Sequence, residues 1–146
     1  MVQIVAVNRA DKTGWLPLWQ AYLVFYDHPL ADEITDLTFE RMLDETVPLY
    51  MLVAKSDDAV VGFASFILHP STWAKVGYCY LEDLFVAEAA RGQGIARGLI
   101  AAVAAEAKAK GAERLYWVTD EANKTAQALY ESLAIRTDFI QYRQDL

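Results

Sequence analysis

The stretch Leu81-Glu82-Asp83-Leu84-Phe85-Val86-Ala87-Glu88-Ala89-Ala90-Arg91-Gly92-Gln93-Gly94-Ile95-Ala96 reads as a strand, a short turn and the opening of a helix. The strand half, Tyr78 to Val86, is rich in aromatic and apolar residues. From Ile95 onward apolar residues recur at helical spacing, through Leu99, Ile100, Val103, Ala104 and Ala107. Gly111 ends that helix, with Lys108 and Lys110 in its last turn, where cations suit the dipole. Two glycines at the junction imply that backbone must come close to something there, since a side chain at Gly92 or Gly94 would block the approach. The first helix amides lack partners and attract an anion, and Arg91 adds a fixed positive charge. The junction therefore reads as a pyrophosphate cradle. A P-loop does not fit, because no Gly-Lys-Ser/Thr follows. The dinucleotide fingerprint does not fit either, because its third glycine is absent.

Outward from this junction, three apolar segments precede it. Tyr50 to Lys55 and Val60 to His69 read as strands joined by the turn Ser56-Asp57-Asp58, and Tyr78 to Val86 follows a loop. Val2 to Val7 reads as a first strand, followed by a turn that offers Asp11 or Thr13 as a helix N-cap. Trp15, Trp19, Tyr22, Leu23 and Tyr26 then form the aromatic face of a helix that Pro29 interrupts. This stripe reads as core, with a ring or two at its end available to line a pocket. A second helix is expected from about Asp36 to Asp44, burying Leu37, Met42 and Leu43. After the long helix, Glu113 to Thr119 is apolar on both faces and reads as a central strand parallel to Tyr78–Val86. Asp120 to Asn123 supplies a turn and N-cap for a helix carrying Ala126, Leu129, Tyr130 and Leu133 on one face. A last strand is expected from about Arg136 to Arg143.

The chain of 146 residues suits one domain, residues 1–146. With 55% hydrophobic and 23% charged residues, it is globular in composition. No apolar run reaches membrane-spanning length, and Met1-Val2-Gln3-Ile4 does not open a signal peptide. The single cysteine, Cys79, has no internal disulfide partner and reads as packing. These points favour a cytoplasmic location and no membrane partner. A net charge of −7 disfavours nucleic acid and favours a cationic ligand. Between Asp27 and Glu45 lie seven carboxylates, which read either as a solvated face or as a rim that draws in amines. His69 and His28 have no second ligand at metal spacing, so no metal site is expected.

The pattern Arg-x-x-Gly-x-Ala at Arg91, Gly94 and Ala96 resembles the acetyl-CoA motif of the GNAT family of N-acetyltransferases. The segment Asn123-x-x-Ala126-x-x-x-Tyr130 is similar to that family's second signature. The resemblance covers essentially the whole chain. It implies a mixed α/β GNAT fold, an α+β mixture in the order β-α-α-β-β-β-α-β-α-β. Its sheet is mostly antiparallel with one parallel pair, the fourth and fifth strands, and helices lie on both faces. It implies acetyl-CoA as cosubstrate, held along Leu84, Phe85 and Val86, by the loop Arg91-Gly92-Gln93-Gly94-Ile95-Ala96, and by Asn123 and Tyr130. In such enzymes the tyrosine hydroxyl lies near the coenzyme sulfur, which makes Tyr130 the candidate general acid.

Tyr80-Leu81-Glu82-Asp83-Leu84-Phe85-Val86 resembles the spermidine/spermine-type diamine and polyamine acetyltransferases, where the glutamate at the place of Glu82 orients and deprotonates the amine. Trp117-Val118-Thr119 and Thr137-Asp138-Phe139 look like the fungal histone/polyamine acetyltransferases and their relatives acting on D-amino acids. Ala134-Ile135 departs from the usual Gly-Phe pair, and only one strand fits before Leu146.

A primary ammonium has a pKa of about 10.4, so a base must take its proton. Glu82 is the candidate and Asp83 the second; as strand neighbours they are expected on opposite faces. Strand amides around Phe85 and Val86 would stabilise the oxyanion, and Tyr130 would protonate the leaving thiolate. The expected activity is transfer of acetyl to a polyamine, diamine or amino-acid amine. The alternatives are protein lysine or N-terminal acetylation, and a non-catalytic acyl-CoA-binding regulator. The free edge of the last strand suggests a homodimer.

Overall fold

The computed structural model describes residues 1–146. Five strands form one sheet in the order β1-β2-β3-β4-β5. They are β1 Val2–Ala6, β2 Leu49–Ser56, β3 Ala59–His69, β4 Gly77–Val86 and β5 Ala112–Tyr116. β1 to β4 pair antiparallel, and β4 pairs parallel with β5 through a helical crossover. The hairpin between β2 and β3 is closed by Asp57 and Asp58, both at positive φ (48° and 65°). That is the backbone a two-residue hairpin demands, and aspartate adopts it more readily than most residues.

Four helices cover the two faces: α1 Lys12–Phe25, α2 Asp32–Leu43, α3 Ile95–Ala109 and α4 Lys124–Glu131. On one face α3 buries Ile95, Leu99, Ile100, Val103 and Ala107 against Leu52, Ala64, Phe66, Cys79, Leu81 and Val86. On the other, α1 and α2 bury Trp15, Trp19, Leu23, Phe39 and Met42 against Met51, Val53 and Phe63. The mixed architecture and the parallel β4–β5 pair are those expected from the sequence.

α1 ends as its residues dictate. Asp27 takes a left-handed φ of 49°, while the His28 and Asp27 amides return to the Leu23 and Val24 carbonyls. This closes the helix two residues before Pro29. The closure fixes Tyr22 and Tyr26 on the last turns, beside Phe85 of the sheet.

Three expectations need correction. α2 begins at Asp32 rather than Asp36, with Asp32 and Glu33 in its first turn where the dipole favours them. Its buried face is Thr35, Phe39 and Met42, and Leu37 stands 53% exposed. Thr35 is accommodated in the core because its hydroxyl accepts the Trp19 indole N–H at 3.0 Å. Second, β5 is an edge strand that stops at Tyr116. Its apolar residues are covered by side chains: Tyr116 packs on Tyr80, and the following Trp117 packs on Tyr130. Third, Arg136 to Arg143 forms no strand. No neighbouring backbone is available to it, and Ile135, Phe139 and Tyr142 are 88%, 90% and 89% exposed.

Candidate active site

The parallel ladder between β4 and β5 runs from Gly77 and Ala112 to Tyr80 and Tyr116 and then stops. β4 continues for six more residues, Leu81 to Val86, paired only with β3. Its other edge is therefore open, beyond the point where the two parallel strands separate. Ligands favour such a place in α/β sheets, because strand amides and carbonyls there lack partners.

A bulge sits at the start of the open segment. Ser65 pairs with Asp83, and the next residue, Phe66, pairs with Leu81, which leaves Glu82 without a partner. The extra residue resets the alternation of side chains. Leu81 lies on the α3 face, whereas Phe85 packs with Phe63 and Tyr22 on the α1 face. Glu82 and Asp83 thus share the α1/α2 face, and the expectation that they point to opposite faces is corrected.

The two carboxylates differ in surroundings. Asp83 accepts a hydrogen bond from the Ser65 hydroxyl, and the Tyr22 hydroxyl approaches from α1. Burial raises the Asp83 pKa above the usual carboxylate value, and the two hydroxyls oppose part of that rise. Glu82 is also raised, by burial first and by Asp83 second, while Arg41 of α2 pulls the other way. The tyrosines respond in turn. Tyr22 is pushed up by burial and by Asp83, and Tyr26 by burial, Asp83 and Asp120. Tyr130 is pushed up by burial and by Tyr26, so its phenol stays protonated at neutral pH. The Tyr22 and Tyr26 rings lie 5.0 Å apart, and Tyr22 meets Phe85 at 5.8 Å. The two carboxylates and three tyrosines therefore lie close enough to influence one another beside the open strand edge.

The loop after β4 is held by Arg91, whose Nε donates to the Val86 carbonyl at 3.0 Å and whose guanidinium lies 5.4 Å from the Phe85 ring. Gly92 and Gly94 adopt φ of 77° and 78°, and a Cβ built on either meets no protein atom within 4 Å. The space beside both glycines is thus free of protein, and a side chain at either would project into it. Free amides of the first turn of α3 point out of that helix end. These features fit a pyrophosphate. Gln93 is exposed and Ala96 partly so, but Ile95 is buried in the α3 core. Ile95 offers only its amide to a ligand. Leu84 and Val86 likewise pack toward α3, so the edge they present is main chain.

Asn123 caps α4, its side-chain oxygen accepting the Ala126 amide at 3.2 Å. Tyr130 stands half-buried on that helix, its ring 5.4 Å from Trp117. Sequence reasoning singled out the strand, loop and Tyr130, and allowed α1 rings in a pocket, but it missed Ser65. The signal was a polar residue inside an otherwise apolar strand, which is informative because buried polar groups require partners.

Two carboxylates of the acidic stretch are neutralised by cations: Glu40 forms a two-pronged pair with Arg9, and Asp36 pairs with Lys12. Asp44 accepts from Thr46, which holds it ionised. Cys79 is fully buried with its pKa raised to about 11, as packing requires. His69 bonds the Tyr116 hydroxyl through Nε2 at 2.7 Å. The chain holds no group of three or more His, Cys, Asp or Glu placed to bind a metal, and no helix is long and apolar enough to cross a membrane.

Comparison with known proteins gives the same picture. Residues 15–134 match the model of the acetyltransferase (GNAT) family. The D-amino-acid N-acetyltransferase of Saccharomyces cerevisiae is 35% identical over 147 residues, spanning 99% of this chain and 91% of that protein. The thialysine N-epsilon-acetyltransferase of Caenorhabditis elegans is 34% identical over 125 residues, 76% of this chain and 73% of that one. Among solved structures, the CoA complex of aminoglycoside N-acetyltransferase AAC(6')-Iy superposes with a TM-score of 0.84 at 22% identity, covering 99% of this chain and 95% of the other. With the split sheet, the glycine cradle and a family match over most of its length, the chain belongs to the GNAT family and is an acetyl-CoA-dependent N-acetyltransferase.

Proposed function

We propose that the enzyme acetylates a small primary amine, drawn from polyamines, diamines and amino acids. The observation that carries this reading is the bulge, which brings Glu82 and Asp83 to one face beside the open edge of β4. Acetyl-CoA supplies an acetyl group as a thioester, whose carbon–sulfur bond is exchanged for a carbon–nitrogen bond. Glu82 takes a proton from the ammonium, and its raised pKa makes it a stronger base than an ordinary carboxylate. Main-chain amides around Phe85 and Val86 face the carbonyl oxygen as it gains charge. Tyr130, kept protonated by burial, returns a proton to the departing sulfur. Gly92, Gly94 and the first turn of α3 hold the pyrophosphate, with Arg91, Gln93 and Ala96 beside them, and Asn123 contacts the coenzyme from the start of α4.

A diamine offers one ammonium to be deprotonated and a second to be held. One charged contact at such a site contributes about 1–3 kcal/mol, or roughly five- to 150-fold in kcat/KM. The expected result in a free-CoA release assay is a diamine faster than a monoamine of equal length, the gap narrowing with salt. Equal rates for neutral monoamines and diamines at low salt would exclude the polyamine reading. An amino-acid amine is the second reading. It is favoured by Arg41, a cation facing Glu82, and by the D-amino-acid relative that this chain matches over nearly its whole length. Amino acids in the same panel decide between the two. The buried lone thiol of Cys79 supports a cytoplasmic setting.

The free edge of β5 and the exposed apolar segment from Ile135 to Tyr142 support a homodimer in which these surfaces are covered. Light scattering should give twice the chain mass at micromolar concentration, and a monomer mass would contradict this assembly.

A further inference from the structure

Ser65 is fully buried in β3. A hydroxyl removed from water needs a partner, and the register sets Ser65 directly opposite Asp83, to which it donates. From the other side α1 brings the Tyr22 hydroxyl toward the same carboxylate. The two hydroxyls come from different elements, so Asp83 is flanked by Ser65 of the sheet, which donates to it, and by Tyr22 of the helix. Glu82, one residue away, is exposed and receives no hydrogen bond from the chain. Burial raises the Asp83 pKa, but the two hydroxyls offset part of that rise and fix the direction of the carboxylate, so it is oriented and already engaged. A neighbour without donors is free to turn toward a proton. We propose that Ser65 and Tyr22 are positioning residues that hold Asp83 as a fixed anion, so that Asp83 seats the substrate ammonium and leaves Glu82 to take its proton.

This rests on the reading that the bulge carboxylates face the amine. The charged and titratable groups around the pair are Tyr22 and Tyr26 from α1, Arg41 from α2 and Tyr80 from β4, with Asp120 and Tyr130 beyond Tyr26. Removing either hydroxyl takes away a group that lowers the Asp83 pKa. Asp83 then binds its proton at higher pH, and the seat is lost from the acid side. The acidic limb of the pH profile of amine kcat/KM should therefore move to higher pH in Tyr22→Phe and Ser65→Ala. At a pH on that limb the amine KM should rise about tenfold, the loss expected for one hydrogen bond to a charged group, with KM for acetyl-CoA unchanged. Ser65→Thr, which keeps the hydroxyl, should restore the limb. A merely structural role would lower stability and leave the limb where it was.

The test uses the full chain, acetyl-CoA and the best amine of the panel, with Glu82→Gln and Asp83→Asn run alongside. Glu82→Gln should lower kcat, and Asp83→Asn should raise the amine KM more than it lowers kcat. Should Ser65→Ala fail to fold, Tyr22→Phe decides alone, since its ring packing survives. A Tyr22→Phe enzyme with wild-type amine KM and an unmoved acidic limb overturns the clamp. So does an Asp83→Asn enzyme that loses kcat while Glu82→Gln keeps it. If both carboxylate variants turn over like wild type, the bulge does not serve the amine, and the clamp falls together with the site reading.

Discussion

Replacing Gly94 by valine should abolish measurable acetyl-CoA binding while leaving the fold intact. Gly94 has a φ of 78°, and no protein atom lies within 4 Å of a Cβ placed there. The new side chain therefore meets nothing of the protein and occupies the space that backbone amides leave for the pyrophosphate. Left-handed backbone costs a side-chain-bearing residue about 1–2 kcal/mol. That is a fraction of the ~5–15 kcal/mol of an ordinary domain, so circular dichroism should be unchanged. Loss of two or three charge-assisted hydrogen bonds at about 1.5–3 kcal/mol each lowers affinity by on the order of 10²-fold or more. Calorimetry that found wild-type affinity in the valine variant would remove the cradle from the site.

Tyr130→Phe should leave coenzyme affinity nearly unchanged and lower kcat by on the order of 10²–10⁴. The variant deletes one oxygen and keeps the ring edge-on to Trp117, 5.4 Å between centroids, so packing does not supply the effect. Burial raises the Tyr130 pKa. The group is thus fully protonated through neutral pH, and the basic limb of kcat lies above the range of an ordinary phenol. Wild-type kcat in the phenylalanine variant would return Tyr130 to a packing role.

The order of strands and helices was legible because apolar periodicity and turn residues act locally. The junction at Gly94 could be read for the same reason, since strand, glycine and helix follow one another directly. The position of Glu82 relative to Asp83 was not legible. The sequence Leu81-Glu82-Asp83-Leu84-Phe85 invites strict alternation, which would put Leu81, Asp83 and Phe85 on one face. Whether a strand carries an extra residue depends on the register of its partner, here Ser65 and Phe66, which lie on another strand and pair with Asp83 and Leu81. The final segment failed for a related reason. Thr137, Phe139, Ile140 and Tyr142 suit a strand, but propensity does not provide a neighbouring backbone. The acidic stretch was over-read because Arg9 and Lys12, which neutralise two of its carboxylates, belong to the start of the chain.

The separation of β4 from β5 also bears on how the protein responds to damage. On the proposed reading, a coenzyme lying along Leu84–Val86 would take the position of a missing strand, and occupancy and folding would become linked equilibria. At a hundredfold excess over its dissociation constant, a ligand that binds only the folded chain adds about 2.7 kcal/mol. Substitutions that loosen the α3 or α1 core would then be masked in a cell rich in coenzyme and exposed when it runs low. The abundance of a weakened variant would thereby follow the supply of its own cosubstrate.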